Sequence, residues 1–86
     1  MVQMIQFPYY ETDAETQARF RAEAFITGYR HGCMRGTRSS PREVYERFPR
    51  WATAQVECYL NGQDDGIAGD ATRFVRLYDE IHRRAA

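Results

Sequence analysis

His31, Cys33, Cys58 and His82 are the residues of this chain whose types most readily bind metal, and Asp64, Asp65 and Asp70 are its densest carboxylates. His31 and Cys33 stand two apart in what reads as a helix, so their side chains leave the axis in different directions and do not close one tetrahedron. With no Cys-x-x-Cys spacing, neither a zinc knuckle nor a disulfide framework is indicated, and reduced, buried thiols are expected. The aspartates lack the one-three-five spacing of a calcium loop and read as a solvated helix face. No nucleophile, base and orienter fall together, and no glycine loop precedes a lysine. The expectation is a protein that is not an enzyme and has no catalytic residues, no metal and no cofactor.

What remains is charge and aromatic surface. All twelve basic residues are Arg, whose planar guanidinium suits bidentate and stacked contacts. Residues 30–50 carry six of them, Arg30, Arg35, Arg38, Arg42, Arg47 and Arg50, against Glu43 and Glu46, while residues 51–72 carry Glu57, Asp64, Asp65 and Asp70 and no Arg. The basic stretch is interleaved with Tyr45, Phe48 and Trp51, the mixture that single-stranded RNA recognition uses for phosphate pairing and base stacking. The same residues have a second use: Phe48 and Trp51 as core, with the arginines pairing to Asp64, Asp65 and Glu57 across the fold. The candidate partner-binding residues are therefore Arg35, Arg38, Arg42, Arg47 and Arg50, with Asp64 and Asp65 as the alternative.

The elements that would position these residues are helical. Pro8 bars a helix through residues 1–10, and residues 1–12 read as an extended N-terminal arm. Thr12 and Glu15 have capping-box spacing, and Ala18, Ala22, Phe25, Tyr29 and Cys33 then recur at helical steps, which predicts a helix from about 13 to 35 ending at Gly36. Ser40-Pro41-Arg42-Glu43 supplies an N-cap, a first-turn proline and a capping glutamate for a short helix over 41–47. Pro49 stops it and opens a further helix carrying Trp51, Val56, Tyr59, Leu60 and Ile67 to Gly69. Asp70 then caps a closing helix with Phe74, Leu77, Tyr78 and Ile81 on one face. The expected core is Phe25, Tyr29, Leu60, Phe74, Leu77 and Ile81.

A repeat runs through the two long helices. Phe25-Ile26-Thr27-Gly28-Tyr29-Arg30-His31-Gly32 returns 34 residues later as Tyr59-Leu60-Asn61-Gly62-Gln63-Asp64-Asp65-Gly66. Tetratricopeptide repeats share that period, but each of their units is a helix pair, and here each unit is mainly one long helix. The rows Ala24, Gly28, Gly32, Gly36 and Ala54, Cys58, Gly62, Gly66 place a small residue at every fourth position. Four glycines inside helices forfeit roughly 4 kcal/mol relative to alanine, a loss that close helix packing along these ridges would offset. The fold class expected is all-α: a helical hairpin of two long Gly-containing helices with a short connecting helix and a C-terminal covering helix, residues 13–86 forming one domain.

Gly28-Tyr29-x-x-Gly32, a linker with proline, and Tyr59-Leu60-x-Gly62-x-x-x-Gly66 resemble the ribosome modulation factor family over about residues 24–70. The resemblance implies a short bacterial protein that binds the small ribosomal subunit near the message exit region and promotes ribosome dimerisation in resting cells, which would make this a translation-silencing factor. The matching residues, Gly28, Tyr29, Gly32, Tyr59, Leu60, Gly62 and Gly66, belong to the scaffold. The chain differs from that family in its N-terminal arm, its C-terminal helix and its formal net charge of +0.

With 86 residues, 43% hydrophobic and 14% aromatic, the chain supports one small core, folding alone or as a homo-oligomer. No segment approaches the ~20 apolar residues of a membrane span, so no membrane partner and a cytoplasmic location are expected. The expected partners are the ribosome and its RNA or, if the chain is a phage or mobile-element inhibitor, a host protein complex in whose basic groove Asp64 and Asp65 would sit.

Overall fold

The computed structural model describes residues 14–85, and among them the chain forms four helices and no strand. They are α1 (Ala14–Arg35), α2 (Pro41–Arg47), α3 (Thr53–Ala68) and α4 (Thr72–Ala85). The arm expected over residues 1–12, and the Thr12 half of the capping box, lie outside the described residues.

Local chemistry sets most of the boundaries. Gly36 ends α1 at φ 73°, a left-handed conformation that side chains disfavour, and its N–H donates to the Gly32 carbonyl at 2.9 Å. At the start of α2, the Ser40 hydroxyl accepts from the Glu43 N–H at 3.2 Å, and the Glu43 carboxylate accepts from the Ser40 N–H at 2.7 Å. Gly69, at φ 75°, closes α3 while the Asp70 N–H donates to the Asp65 carbonyl at 2.9 Å. Asp70 then accepts from the Thr72 N–H at 3.1 Å and so opens α4.

One start differs from expectation. α3 begins at Thr53, so Trp51 precedes the helix. The chain turns instead through Pro49 and Arg50, with the Trp51 N–H bonded to the Phe48 carbonyl at 3.1 Å. Gln55 reaches back to accept from the Ala52 N–H at 3.0 Å, which fixes the later start.

α1 and α3 meet along the glycine rows. A β-carbon built on Gly28 would lie within 3.0 Å of the Tyr59 backbone, and one on Gly62 within 3.0 Å of the backbones of Phe25 and Tyr29. Gly32 stands in the same relation to Gln63, and Gly66 to Tyr29 and Cys33. The hydrogen occupying each β-carbon position therefore points at the facing backbone. At Gly28 and Gly62 the nearest atom is a carbonyl oxygen, an arrangement worth about 0.5–1 kcal/mol per Cα–H···O contact.

These pairs also fix the polarity, on which the spacing is silent. Phe25 meets Gly62 and Tyr29 meets Gly66, so residue numbers rise together and the two long helices run parallel. The contacts are reciprocal under the repeat: the Gly28–Tyr59 pair maps onto the Phe25–Gly62 pair when the halves exchange. The repeat is thus a pseudo-two-fold axis along the helix pair. Residues 36–52, with α2 among them, must bring the chain back to the starting end of α1.

That return path changes the core. Ala24, Phe25, Ile26, Val44, Val56, Tyr59 and Leu60 are buried, and Phe48, Trp51 and Cys58 pack against the cluster that Ala24, Val44, Val56, Tyr59 and Leu60 form. Phe25 and Leu60 are where the sequence placed them, but Tyr29, Phe74, Leu77 and Ile81 are only half-buried. α4 covers one flank of α1, running antiparallel to it, while α2 and the turn after it cover α3 and supply Val44, Phe48 and Trp51 instead. Tyr29 stacks on Phe74 with centroids 4.4 Å apart, and the Arg30 guanidinium lies 6.0 Å from the Phe74 ring and 5.9 Å from the Tyr78 ring.

Candidate functional site

At the centre of the α1–α3 contact lies a closed polar chain that the sequence did not announce. Gln63 is fully buried. Its Oε1 accepts from the Ser39 N–H at 2.8 Å, and its Nε2 donates to the Ser39 hydroxyl at 3.0 Å and to the Tyr59 hydroxyl at 3.4 Å. Since the Tyr59 oxygen accepts from Gln63, its own proton is free to donate to Nδ1 of His31, 2.6 Å away. Among the described residues no buried side-chain N or O is left unsatisfied. The chain ties the loop after α1 to α3 and ends at His31 beside two arginines.

Those arginines, Arg35 and Arg47, come from the ends of α1 and α2. Burial lowers the His31 pKa from its ordinary value, and the positive charges of Arg35 and Arg47 lower it further. The fold therefore favours neutral imidazole. As pH falls below about 6.5, the unfolded chain takes up its proton first, so stability contributed by His31 is fully present above that pH and is lost toward the lower folded-state value. Melting temperature followed from about pH 7.5 to 5 is expected to fall more steeply for the parent than for His31→Gln. Parallel profiles would remove His31 as the cause.

The seven candidate contact residues divide into committed and uncommitted groups. Arg38 pairs with Asp64 at 2.8 Å, and Arg42 with Glu46 one turn away at 3.4 Å. Asp65 is held bidentately by Arg73 of α4, both contacts at 2.9 Å, and the same guanidinium lies 5.1 Å from the Phe25 ring. Pairing across the fold thus occurs at Arg38–Asp64, whereas the partner of Asp65 comes from outside the basic stretch. Arg35, Arg47 and Arg50 have no carboxylate partner among the described residues.

Phe48 and Trp51, the neighbours in sequence of Arg47 and Arg50, form a parallel stack, centroids 3.9 Å apart and planes 7° from coplanar, and both rings pack against Tyr59. They are half-buried, so they serve the core and still reach solvent. The two thiols differ from expectation. Cys33 is exposed, its Sγ 3.7 Å from the Gly66 carbonyl at the open edge of the helix crossing, and Cys58 is half-buried with its pKa raised by that burial. Among the described residues no three of His, Cys, Asp and Glu are placed to hold a metal ion, and no helix is long and apolar enough to cross a membrane.

Gln63 is the central residue that sequence reasoning missed, and Tyr59, read there as scaffold, has a polar role it did not foresee. A signal for Gln63 was present: the repeat puts it at the position of Tyr29, on the face turned toward the other helix. No family model, curated protein or solved structure matches this chain.

Proposed function

We propose that the chain is a non-enzymatic binding protein that engages ribosomal RNA and acts as a translation-silencing factor, as its resemblance to ribosome modulation factors implies. The observation carrying this reading is a set of guanidinium groups without carboxylate partners among the described residues, Arg35 at the end of α1 and Arg47 and Arg50 on the return path, together with the half-buried Phe48–Trp51 stack of that path. Guanidinium groups without internal carboxylates are available to phosphates, and rings that reach solvent are available to bases. Arg47, Arg50 and the two rings sit on a connection held by rigid helices, a placement that suits a binding surface. A cytoplasmic location follows from this partner.

The alternative, docking of Asp64 and Asp65 into a basic groove of a host protein, draws less support. Arg38 and Arg73 already neutralise that pair, and the Asp65 side chain is only 13% exposed.

Binding to small ribosomal subunits over a salt series tests the reading. The double variant Arg35→Ala, Arg47→Ala is expected to bind at least tenfold more weakly at low salt. Its log–log salt slope should be shallower by about 0.7–0.9 for each phosphate that no longer has an arginine partner. Asp64→Asn should leave binding nearly unchanged. Unaltered affinity in the double-Arg variant, or loss of binding in Asp64→Asn, would reject the RNA reading.

A further inference from the structure

We propose that the cleft between the first half of α1 and the start of α3 is a pocket for one unpaired RNA base, with Arg50 holding the adjoining phosphate. This rests on the RNA-binding reading and names a site within it.

The cleft has a volume of about 670 Å3 and is lined by Gln17, Phe20 and Glu23 of α1 and by Arg50, Trp51 and Gln55 of the opposite wall. Its composition matches a base better than a peptide or a lipid. Phe20 is 38% exposed, a large aromatic ring kept at the surface on one wall, and Trp51 reaches solvent from the other. Two aromatic side chains on opposite walls supply the stacking surfaces that hold splayed-out bases in single-stranded recognition.

The polar groups between them suit the edge of a base. Glu23 is bonded through Oε2 to Arg19 at 3.3 Å, which leaves its Oε1 as an acceptor, and the Gln17 amide offers both donor and acceptor. A carboxylate facing the cleft disfavours phosphate inside it and favours a base that presents N–H groups. The Trp51 indole N–H finds no acceptor among the described residues and is a further donor. Charge for the backbone sits at Arg50, whose guanidinium has no carboxylate partner among the described residues. From Ala24, beside the cleft, to Arg35 along α1 is on the order of 16 Å, so one strand can reach both the pocket and the Arg35–Arg47 pair.

Trp51 is the chain's single tryptophan, so its fluorescence reports on the cleft directly. The experiment titrates the full chain with an eight-nucleotide single-stranded RNA of mixed sequence and with an abasic sugar-phosphate strand of the same length. Saturable quenching by the RNA and little by the abasic strand is expected. Phe20→Ala, at a position 38% exposed and with its folding checked by circular dichroism, should weaken RNA binding about 5- to 150-fold. RNA binding that responds to Arg35→Ala, Arg47→Ala but leaves Trp51 emission unchanged and is indifferent to Phe20→Ala would overturn the pocket while sparing the RNA reading. Equal quenching by the abasic strand would also overturn it. Absence of binding by either strand and by small ribosomal subunits would overturn both.

Discussion

Gly62→Ala, a change that would stabilise an isolated helix by about 1 kcal/mol, is expected to destabilise this protein by about 2–4 kcal/mol. The reason is the parallel contact of α1 and α3. The new methyl would fall 2.9 Å from the Tyr29 backbone nitrogen and 3.0 Å from the Phe25 carbonyl carbon, and closer still to the Phe25 oxygen. Those atoms belong to helical backbone and have no flexible end that could move aside, so the helices must separate. Gly28→Ala should behave alike, since the repeat makes its contact with Tyr59 the counterpart of that with Phe25. At ~4–8 °C per kcal/mol for a domain of this size, either change should lower the melting temperature by roughly 10–30 °C. Combining them should cost less than the sum, because a pair already pushed apart accommodates the second methyl. Gly36→Asn is the control: nothing lies within 4 Å of a β-carbon there, and asparagine tolerates the positive φ. A Gly62→Ala protein melting at or above the parent would show that the crossing is looser than these distances imply.

These expectations divide what the sequence carries from what it does not. Ends of helices were legible at Ser40–Glu43, Gly36 and Gly69 because a cap is a local interaction among a few adjacent residues. The glycine rows were legible for an energetic reason: glycine in mid-helix costs stability, and close backbone contact is what offsets it. Polarity was not, since an offset of 34 residues fits rows packed in either direction until the return path is known. That return path explains the other misses. It places Val44, Phe48 and Trp51 over α3, which leaves the apolar face of α4 with a flank of α1 and only part of its expected burial. It also brings Ser39 against Gln63, a contact between residues too far apart for any local pattern. Among the candidate contact residues, the distribution of charge marked the stretch but not the pairing, because the partners of Arg38 and Asp65 depend on which helices are neighbours.

Gln63→Leu should be the most damaging substitution outside the glycine rows, at about 2–4 kcal/mol, although it conserves size and adds apolar surface to a buried site. Leucine fills the volume but removes both the acceptor of the Ser39 N–H and the donor to Ser39 and Tyr59. A buried group left without its partner costs about 1–3 kcal/mol, more than the hydrogen bond itself contributes in net terms. Exposed pairs offer a scale for comparison: breaking Arg42–Glu46, whose side chains are 88% and 67% exposed, should change stability by less than about 1 kcal/mol. Urea unfolding would separate the cases, with a lower midpoint and an unchanged slope for Gln63→Leu. A stability within about 0.5 kcal/mol of the parent would mean that water replaces Gln63 in the network. The damage should reach function as well, because the Ser39 clasp anchors the connection that carries Arg47 and Arg50. With the clasp gone, RNA affinity should fall under conditions where the protein remains folded, even though Gln63 is fully buried and has no surface of its own to offer a partner.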